Sequence, residues 1–272
     1  MAKNWTRGKS GFVTLLVLVF CLAAAVFIGT EVFQVKKITV IGSDTLDNNV
    51  IINVSGISYE DNIFKISKEQ VKNRIESFAP YPVVKAVSMK LPDEVIIVLE
   101  ERVPAAAVPY LSSYLIIDCN GFILDIVKQS QGVSLPVLEG IHVSCLSKGS
   151  FLEVSEKDSY QFKVLTHFLK SLEEWEIKDR IKAIYIDNPD DITLLTNDDI
   201  KVSIGQALDL DRKLGWLCSE AYTQVLEKGE PGTLDVRTPG KAVFHPTPVP
   251  EDEADLDGET DPEAASNQEV SD

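Results

Sequence analysis

The stretch Pro80–Ala106, PYPVVKAVSMKLPDEVIIVLEERVPAA, decides the fold of the chain's first half. Pro80 and Pro82 end any helix before them, because proline removes a backbone donor and crowds the preceding turn. VVKAVSMKL and EVIIVLEE are of strand length and rich in Val and Ile, and a tight Pro92-Asp93 turn joins them. Working upstream, Val71 and Ile75, flanked by Ile66 and Phe78, recur at helical spacing and predict a helix over Ser67–Phe78. A shorter helix is expected over Asp47–Val54. Before it, VFQVKKITVIGSD sets Phe33, Val35, Ile38 and Val40 among polar residues, which predicts a strand. The order β-α-α-β-β describes an α+β unit of about 70 residues that buries one sheet face and leaves the other face, or an edge strand, free.

Downstream, short strands are expected around Ala105–Pro109, Tyr114–Asp118 and Phe122–Ile126, leading through LPVLEGI to a helix. Phe162, Leu165, Phe168, Leu169 and Leu172 form that helix's apolar face. AIYID, ITLLT and KVSIG follow as strands between Asn-Pro-Asp-Asp and Asn-Asp-Asp turn clusters. A second helix over Asp209–Glu227 is expected to place Leu210, Leu214, Leu217, Ala221 and Val225 on one face and to end near Gly229. The last element, GTLDVRTPGKAVFHP, reads as a strand pair about a Thr-Pro-Gly turn. The second half is therefore mainly antiparallel β with two helices.

The 272 residues carry 26 basic and 42 acidic side chains, a formal charge of −16, and that charge is unevenly spread. Residues 1–30 hold three basic and no acidic groups, residues 31–245 hold 23 and 32, and residues 246–272 hold ten acidic and no basic ones. Such a chain lacks the cationic surface that displaces counterions from nucleic acid. Between Lys9 and Glu31 runs SGFVTLLVLVFCLAAAVFIGT, long enough at about 1.5 Å per residue to nearly cover a hydrocarbon core of about 30 Å. It predicts a membrane span over 11–30. The competing reading is a cleaved signal peptide, whose apolar region is usually only about 7–15 residues. Lys3, Arg7 and Lys9 before the span predict a cytoplasmic tail at 1–10 and everything after Thr30 outside. The other end, 247–272, has almost no large apolar residue and is expected to be a disordered acidic tail. Glu253, Asp255, Asp257 and Gly258 fit part of a calcium loop, but Ala264 stands where its bidentate carboxylate belongs.

Reactive groups are sparse. His142, His167 and His245 lack the context of a catalytic site, and His142-x-x-Cys145 has no second pair to complete a zinc site. Cys119, Cys145 and Cys218 would lie outside the membrane, and a Cys119–Cys145 disulfide stays open, since spacing does not decide it. No cofactor and no catalytic residue is expected; a binding module is.

The arrangement resembles the bacterial cell-division family FtsQ, called DivIB in Gram-positive bacteria. VFQVKKITVIGSD, VSGISYEDNIFKI, Pro80–Ala106 and YLIIDCNGFILD carry the resemblance, with the family's strand ending in an apolar-Val-x-Gly phrase and its Glu-Arg-x-Pro-x-Ala run at Glu101–Ala106. Further on, Lys213-Leu214 matches the helix before the family's Asp-x-Arg strand, here Asp235, Val236 and Arg237. The resemblance implies a POTRA domain at 31–102, a β domain at 103–246, and a non-catalytic scaffold of the division septum. Its implied partners are the coiled-coil proteins FtsB (DivIC) and FtsL, through which it helps control septal peptidoglycan synthesis, and other division proteins that the POTRA domain would bind in localisation to the division site.

The expected mode is strand addition to the last strand, Lys241–His245, because an edge strand offers unpaired backbone groups. Arg237 would meet a partner carboxylate, Gly240 would allow close backbone approach, and Val243 or Phe244 would supply an apolar anchor. Gram-negative members have an aromatic residue directly after that arginine; here it is Thr238, so that anchor is missing. The competing reading pairs Arg237 internally and puts Phe244 in the core. At the level of function, the alternative is an anchored extracytoplasmic POTRA-type binding or transport accessory protein unrelated to division. An outer-membrane barrel is disfavoured, because only the acidic tail follows Pro246.

Overall fold

The computed structural model describes residues 11–23, 32–145 and 147–247. The expected tails at 1–10 and beyond 247, and the end of the expected span at 24–30, lie outside the described residues. Helix α1 covers residues 11–23 with its side chains exposed, and among the described residues no helix is long and apolar enough to cross a membrane.

The first folded unit contains β1 (Lys37–Ile41), α2 (Asn48–Ser55), α3 (Lys68–Glu76), β2 (Val83–Lys90) and β3 (Glu94–Glu100). Local chemistry sets both helix starts: Asp47 Oδ1 accepts the Asn49 N–H at 2.8 Å, and Ser67 Oγ accepts that of Gln70. The expected starting residues are therefore the caps rather than the first helical turns. Ile66 precedes α3 and Phe78 follows it, while Val71 and Ile75 turn inward. In the sheet β3 lies between β1, its parallel neighbour, and β2, its antiparallel one. Ile51, Val71 and Ile75 pack on Val84, Val95, Ile97 and Leu99, forming a core of its own.

The Val40-x-Gly42 phrase has a steric reason. Gly42 has a φ of 87°, and a Cβ there would lie 2.0 Å from the Leu99 carbonyl oxygen, so only glycine lets β1 leave the sheet against β3.

The second unit runs through β4 (Ala106–Tyr110), β5 (Ser113–Ile117), β6 (Ile123–Lys128), β7 (Val137–Glu139), β8 (Val143–Cys145) and β9 (Glu153–Val154) to α4 (Ser159–Glu174). Then come β10 (Ile181–Tyr185), β11 (Ile192–Thr196), β12 (Lys201–Gly205), α5 (Leu210–Leu214), α6 (Glu220–Glu227), β13 (Gly232–Asp235) and β14 (Val243–Pro246). Nine strands form one sheet in the order β14-β13-β12-β11-β10-β7-β4-β5-β6. Three of its eight pairings are parallel: β7 with β10 and β12 with β13, where α4 and the α5–α6 segment return the chain to the end from which it started, and β4 with β7, where the return is made through β5, β6 and residues 129–136. Leu165, Phe168, Leu169 and Leu172 of α4 are buried against Leu115, Ile117 and Ile123, each such burial stabilising by about 1.5–3 kcal/mol.

The helix expected over Asp209–Glu227 is broken. A 3₁₀ turn at Gly215–Cys218 follows α5, and Ser219, in an extended conformation, caps a new helix by accepting the Tyr222 N–H. The break rotates the second half, so Tyr222 is buried where Ala221 was expected, and Ala221 is exposed. The unit thus has three α-helices rather than two.

Lys213 belongs to the core: it is only 3% exposed, and its Nζ donates to the carbonyls of Ile204 at 3.0 Å and Gln206 at 2.8 Å. Burial pushes its pKa down. It ties α5 to the turn after β12, which gives the Lys-Leu pair a structural role. Lys213→Ala strands two acceptors and is expected to cost about 2–4 kcal/mol, read as a lower urea midpoint with an unchanged slope.

Candidate functional site

Among the described residues, strand β14 is the outermost strand of the nine, hydrogen-bonded only to β13. The register pairs Gly232 with Pro246, Thr233 with His245, Leu234 with Phe244 and Asp235 with Val243. The Thr247 N–H donates to the Pro231 carbonyl, so in the alternation of an antiparallel pair Val243 and His245 bond inward, and the Phe244 N–H and C=O point away from the sheet. Pro246, with no N–H, ends this free edge.

The predicted side chains are distributed around the edge. Phe244 is half-buried on the core side, its ring so close over Gly232 that a Cβ there would lie 2.4 Å from Cζ. Val243 falls on the opposite face of the strand. Val236 is fully buried in the core, and its N–H donates to the Ser203 carbonyl; it anchors the strand from inside and offers no side chain to a partner. Gly240 has a φ of 78° and open space around it.

Arg237 takes the internal pairing of the competing reading and stays exposed. Its Nη2 lies 2.5 Å from Asp235 Oδ2 and its Nε 3.0 Å from Oδ1, yet its side chain remains 60% exposed. The guanidinium beside Asp235 holds that carboxyl below the usual range. The Arg237 stem lies over Gly205 at the end of β12, two strands in from β14.

A second constellation, which sequence reasoning left without a role, joins the two folded units. Arg102 Nη1 lies 2.6 Å from Asp118 Oδ2, with both side chains at most 10% exposed, and its Nε donates to the Tyr81 carbonyl at 2.9 Å. Its guanidinium carbon sits 3.9 Å from the Phe122 ring centroid, and Phe122 in turn contacts Tyr81 and Phe151. Asp118 Oδ1 accepts the N–H groups of Asn120 and Phe122, so the charge is satisfied from both sides. Arg102 stands in Glu-Arg-x-Pro-x-Ala and Asp118 in IIDCNG; their juxtaposition over 16 residues carries no local sequence signal.

The neighbouring Glu101 faces back into the first unit. Its Oε1 accepts the N–H groups of Asp44, Thr45 and Leu46 at 2.8–3.0 Å, and the Thr45 hydroxyl donates to Oε2. Partial desolvation pushes this carboxyl up, but the Thr45 hydroxyl and the three backbone donors outweigh it and hold it at about 2, against an ordinary 4.5. A depressed carboxyl contributes stability that is complete above its unfolded pKa and lost as pH falls through its folded one. Glu101→Gln is therefore expected to flatten the pH dependence of unfolding between about pH 5 and pH 2. An unchanged slope in that window would show that the bonds exert no net pull.

Among the described residues no group of three or more His, Cys, Asp or Glu is placed to hold a metal. Cys119 is a free thiol whose pKa burial and the nearby Glu173 and Asp118 push up to about 12, the reverse of an activated nucleophile.

A family model described as POTRA domain, FtsQ-type, matches residues 33–102, and one described as cell division protein FtsQ/DivIB, C-terminal, matches residues 106–237. Among curated relatives, cell division protein DivIB of Clostridium tetani is 31% identical over 202 residues, covering 73% of this chain and 72% of that protein. DivIB of Clostridium acetobutylicum is 28% identical over 78% of this chain and 86% of its own length. Cell division protein FtsQ of Syntrophotalea carbinolica is 27% identical over 53% of this chain and 50% of its own length.

Proposed function

The chain belongs to the FtsQ/DivIB family of cell-division proteins, as a DivIB-type member, and from that premise we propose that it is a non-catalytic scaffold of the division septum. One membrane span over 11–30 holds it, with residues 1–10 in the cytoplasm and a POTRA domain (31–102) and β domain (103–246) outside. It captures FtsB (DivIC) and FtsL, and through them takes part in controlling septal peptidoglycan synthesis.

The observation that carries this reading is the free outer edge of β14. A partner strand pairing there would bond to the outward Phe244 N–H and C=O, gaining affinity from the backbone and specificity from flanking side chains. Asp235 orients Arg237 toward a partner carboxylate, Gly240 keeps the approach clear, and Val243 supplies an apolar contact on the outer strand. Phe244 contributes its backbone to the partner and its ring to the core.

The test is capture of the DivIC-type partner by the full chain in detergent, compared with chains ending at Thr247 and at Gly240. The chain ending at Thr247 is expected to bind as the full chain does. The chain ending at Gly240 is expected to lose capture while still unfolding cooperatively. Undiminished capture without β14 would remove the basis for strand addition. Arg237→Ala is expected to weaken binding by about 1.5–3 kcal/mol, the usual worth of a hydrogen bond to a charged group, with little change in thermal unfolding.

A further inference from the structure

The end of the POTRA domain nearest the predicted span carries a set of apolar side chains that its core does not use. Only residues 24–31 separate helix α1 from Val32, which is 42% exposed. The chain then zips onto the loop before α3: the Val35 N–H donates to the Asp61 carbonyl and the Ile63 N–H to the Phe33 carbonyl, both at 2.9 Å. This pairing sets the Phe64 ring 5.0 Å from Phe33, with Phe64 still 65% exposed and Tyr59, in the same loop, 58% exposed.

The β2–β3 turn lies at the same end. Strand β1 is parallel to β3 with Lys37 opposite Glu94, and the Lys36 N–H donates to the Asp93 carbonyl, so Leu91, 56% exposed, projects beside the entry of β1. The opposite end of β3 leads into Arg102 and the second domain, about 20 Å away along a seven-residue strand.

Charge decides which occupant suits this end. Lys36, Lys37, Lys65 and Lys90 are offset by Glu60, Asp61, Asp93 and Glu94, and Glu94 is itself bonded to Lys37 at 2.7 Å and Lys90 at 3.1 Å. The surface is neutral, with aromatic and aliphatic tips ringed by lysine stems. That composition suits a lipid interface, where aromatic bodies sit at headgroup depth and lysines reach to water.

We propose that this end of the POTRA domain, through Phe64, Tyr59, Leu91 and Val32, seats in the headgroup region of the membrane that anchors the chain, fixing the domain's tilt. The proposal rests on the reading of residues 11–30 as a membrane span. It is tested on the full chain reconstituted into phosphatidylcholine vesicles whose acyl chains are brominated close to their headgroup end, where the bromines quench a tryptophan seated at the base of the headgroups. Phe64→Trp and Leu91→Trp report on the seated end, and Leu111→Trp, at a site 87% exposed in the β domain, serves as reference. Each added emission is read as the difference from the unsubstituted chain.

Loss of emission at positions 64 and 91, with none at 111, is the expected result. No loss at any position, in a chain that stays with the vesicles through an alkaline wash, overturns the seating and leaves the anchor standing. A chain removed by the wash overturns the anchor and the seating with it. Equal loss at all three positions overturns the proposal differently, by showing that the whole protein lies along the bilayer.

Discussion

Arg102→Met is expected to lower folding stability by about 3–5 kcal/mol, because it leaves the Asp118 carboxylate buried without its counter-charge. Asp118 is 3% exposed, and its two backbone donors, the N–H groups of Asn120 and Phe122, cannot balance a full charge alone. The methionine retains much of the contact with Phe122, so packing loss adds little. The double variant Arg102→Met, Asp118→Asn is expected to recover most of the deficit, since the asparagine carbonyl can accept the same N–H groups. Urea unfolding of the two variants decides the point. A single variant within about 1 kcal/mol of the parent would mean that solvent reaches the pair and screens it. The same substitution is expected to uncouple the unfolding of the two domains, because Arg102 reaches both the Tyr81 carbonyl and Asp118.

The second large effect is expected at Gly42. A side chain there faces two separate penalties: a φ of 87°, and a Cβ 2.0 Å from the Leu99 carbonyl oxygen. Gly229 provides the comparison, with a φ of 65° and nothing within 4 Å of its Cβ position. Gly229→Ala should therefore cost only the backbone strain, about 1–2 kcal/mol. Gly42→Ala should cost about 3 kcal/mol or more, because backbone must move as well. Equal costs, measured by thermal unfolding, would show that β1 can shift away from β3 without penalty.

These two sites illustrate what the sequence made legible. The β2–β3 hairpin could be read because Val and Ile runs flank a Pro-Asp turn, and α4 because Leu165, Phe168, Leu169 and Leu172 keep helical spacing. The final strand pair could be read from its Thr-Pro-Gly turn, whereas its place at the sheet edge came from the family resemblance, and the strand itself is Val243–Pro246 rather than Lys241–His245. What escaped was the information that spacing does not carry. Apolar residues continue in helical register through Gly215–Ser219, so the break between α5 and α6 was hidden, and Tyr222 took the buried place expected of Ala221. Val236 sits between two candidate contacts in the Asp-x-Arg phrase, yet strand alternation sends it inward. Arg102 and Asp118 are joined only by folding, and neither residue type at its position announces a buried pair.

The order of strands in the large sheet also fixes a distance. The Arg102 joint meets the sheet at β5, whereas the free edge is β14, seven strand-to-strand steps away. At about 4.8 Å per step the edge stands about 34 Å to one side of the joint, measured along the sheet. The β domain is in this sense an outrigger. Any rotation at the Arg102 joint is therefore carried to that edge as a displacement that grows with the length of this arm.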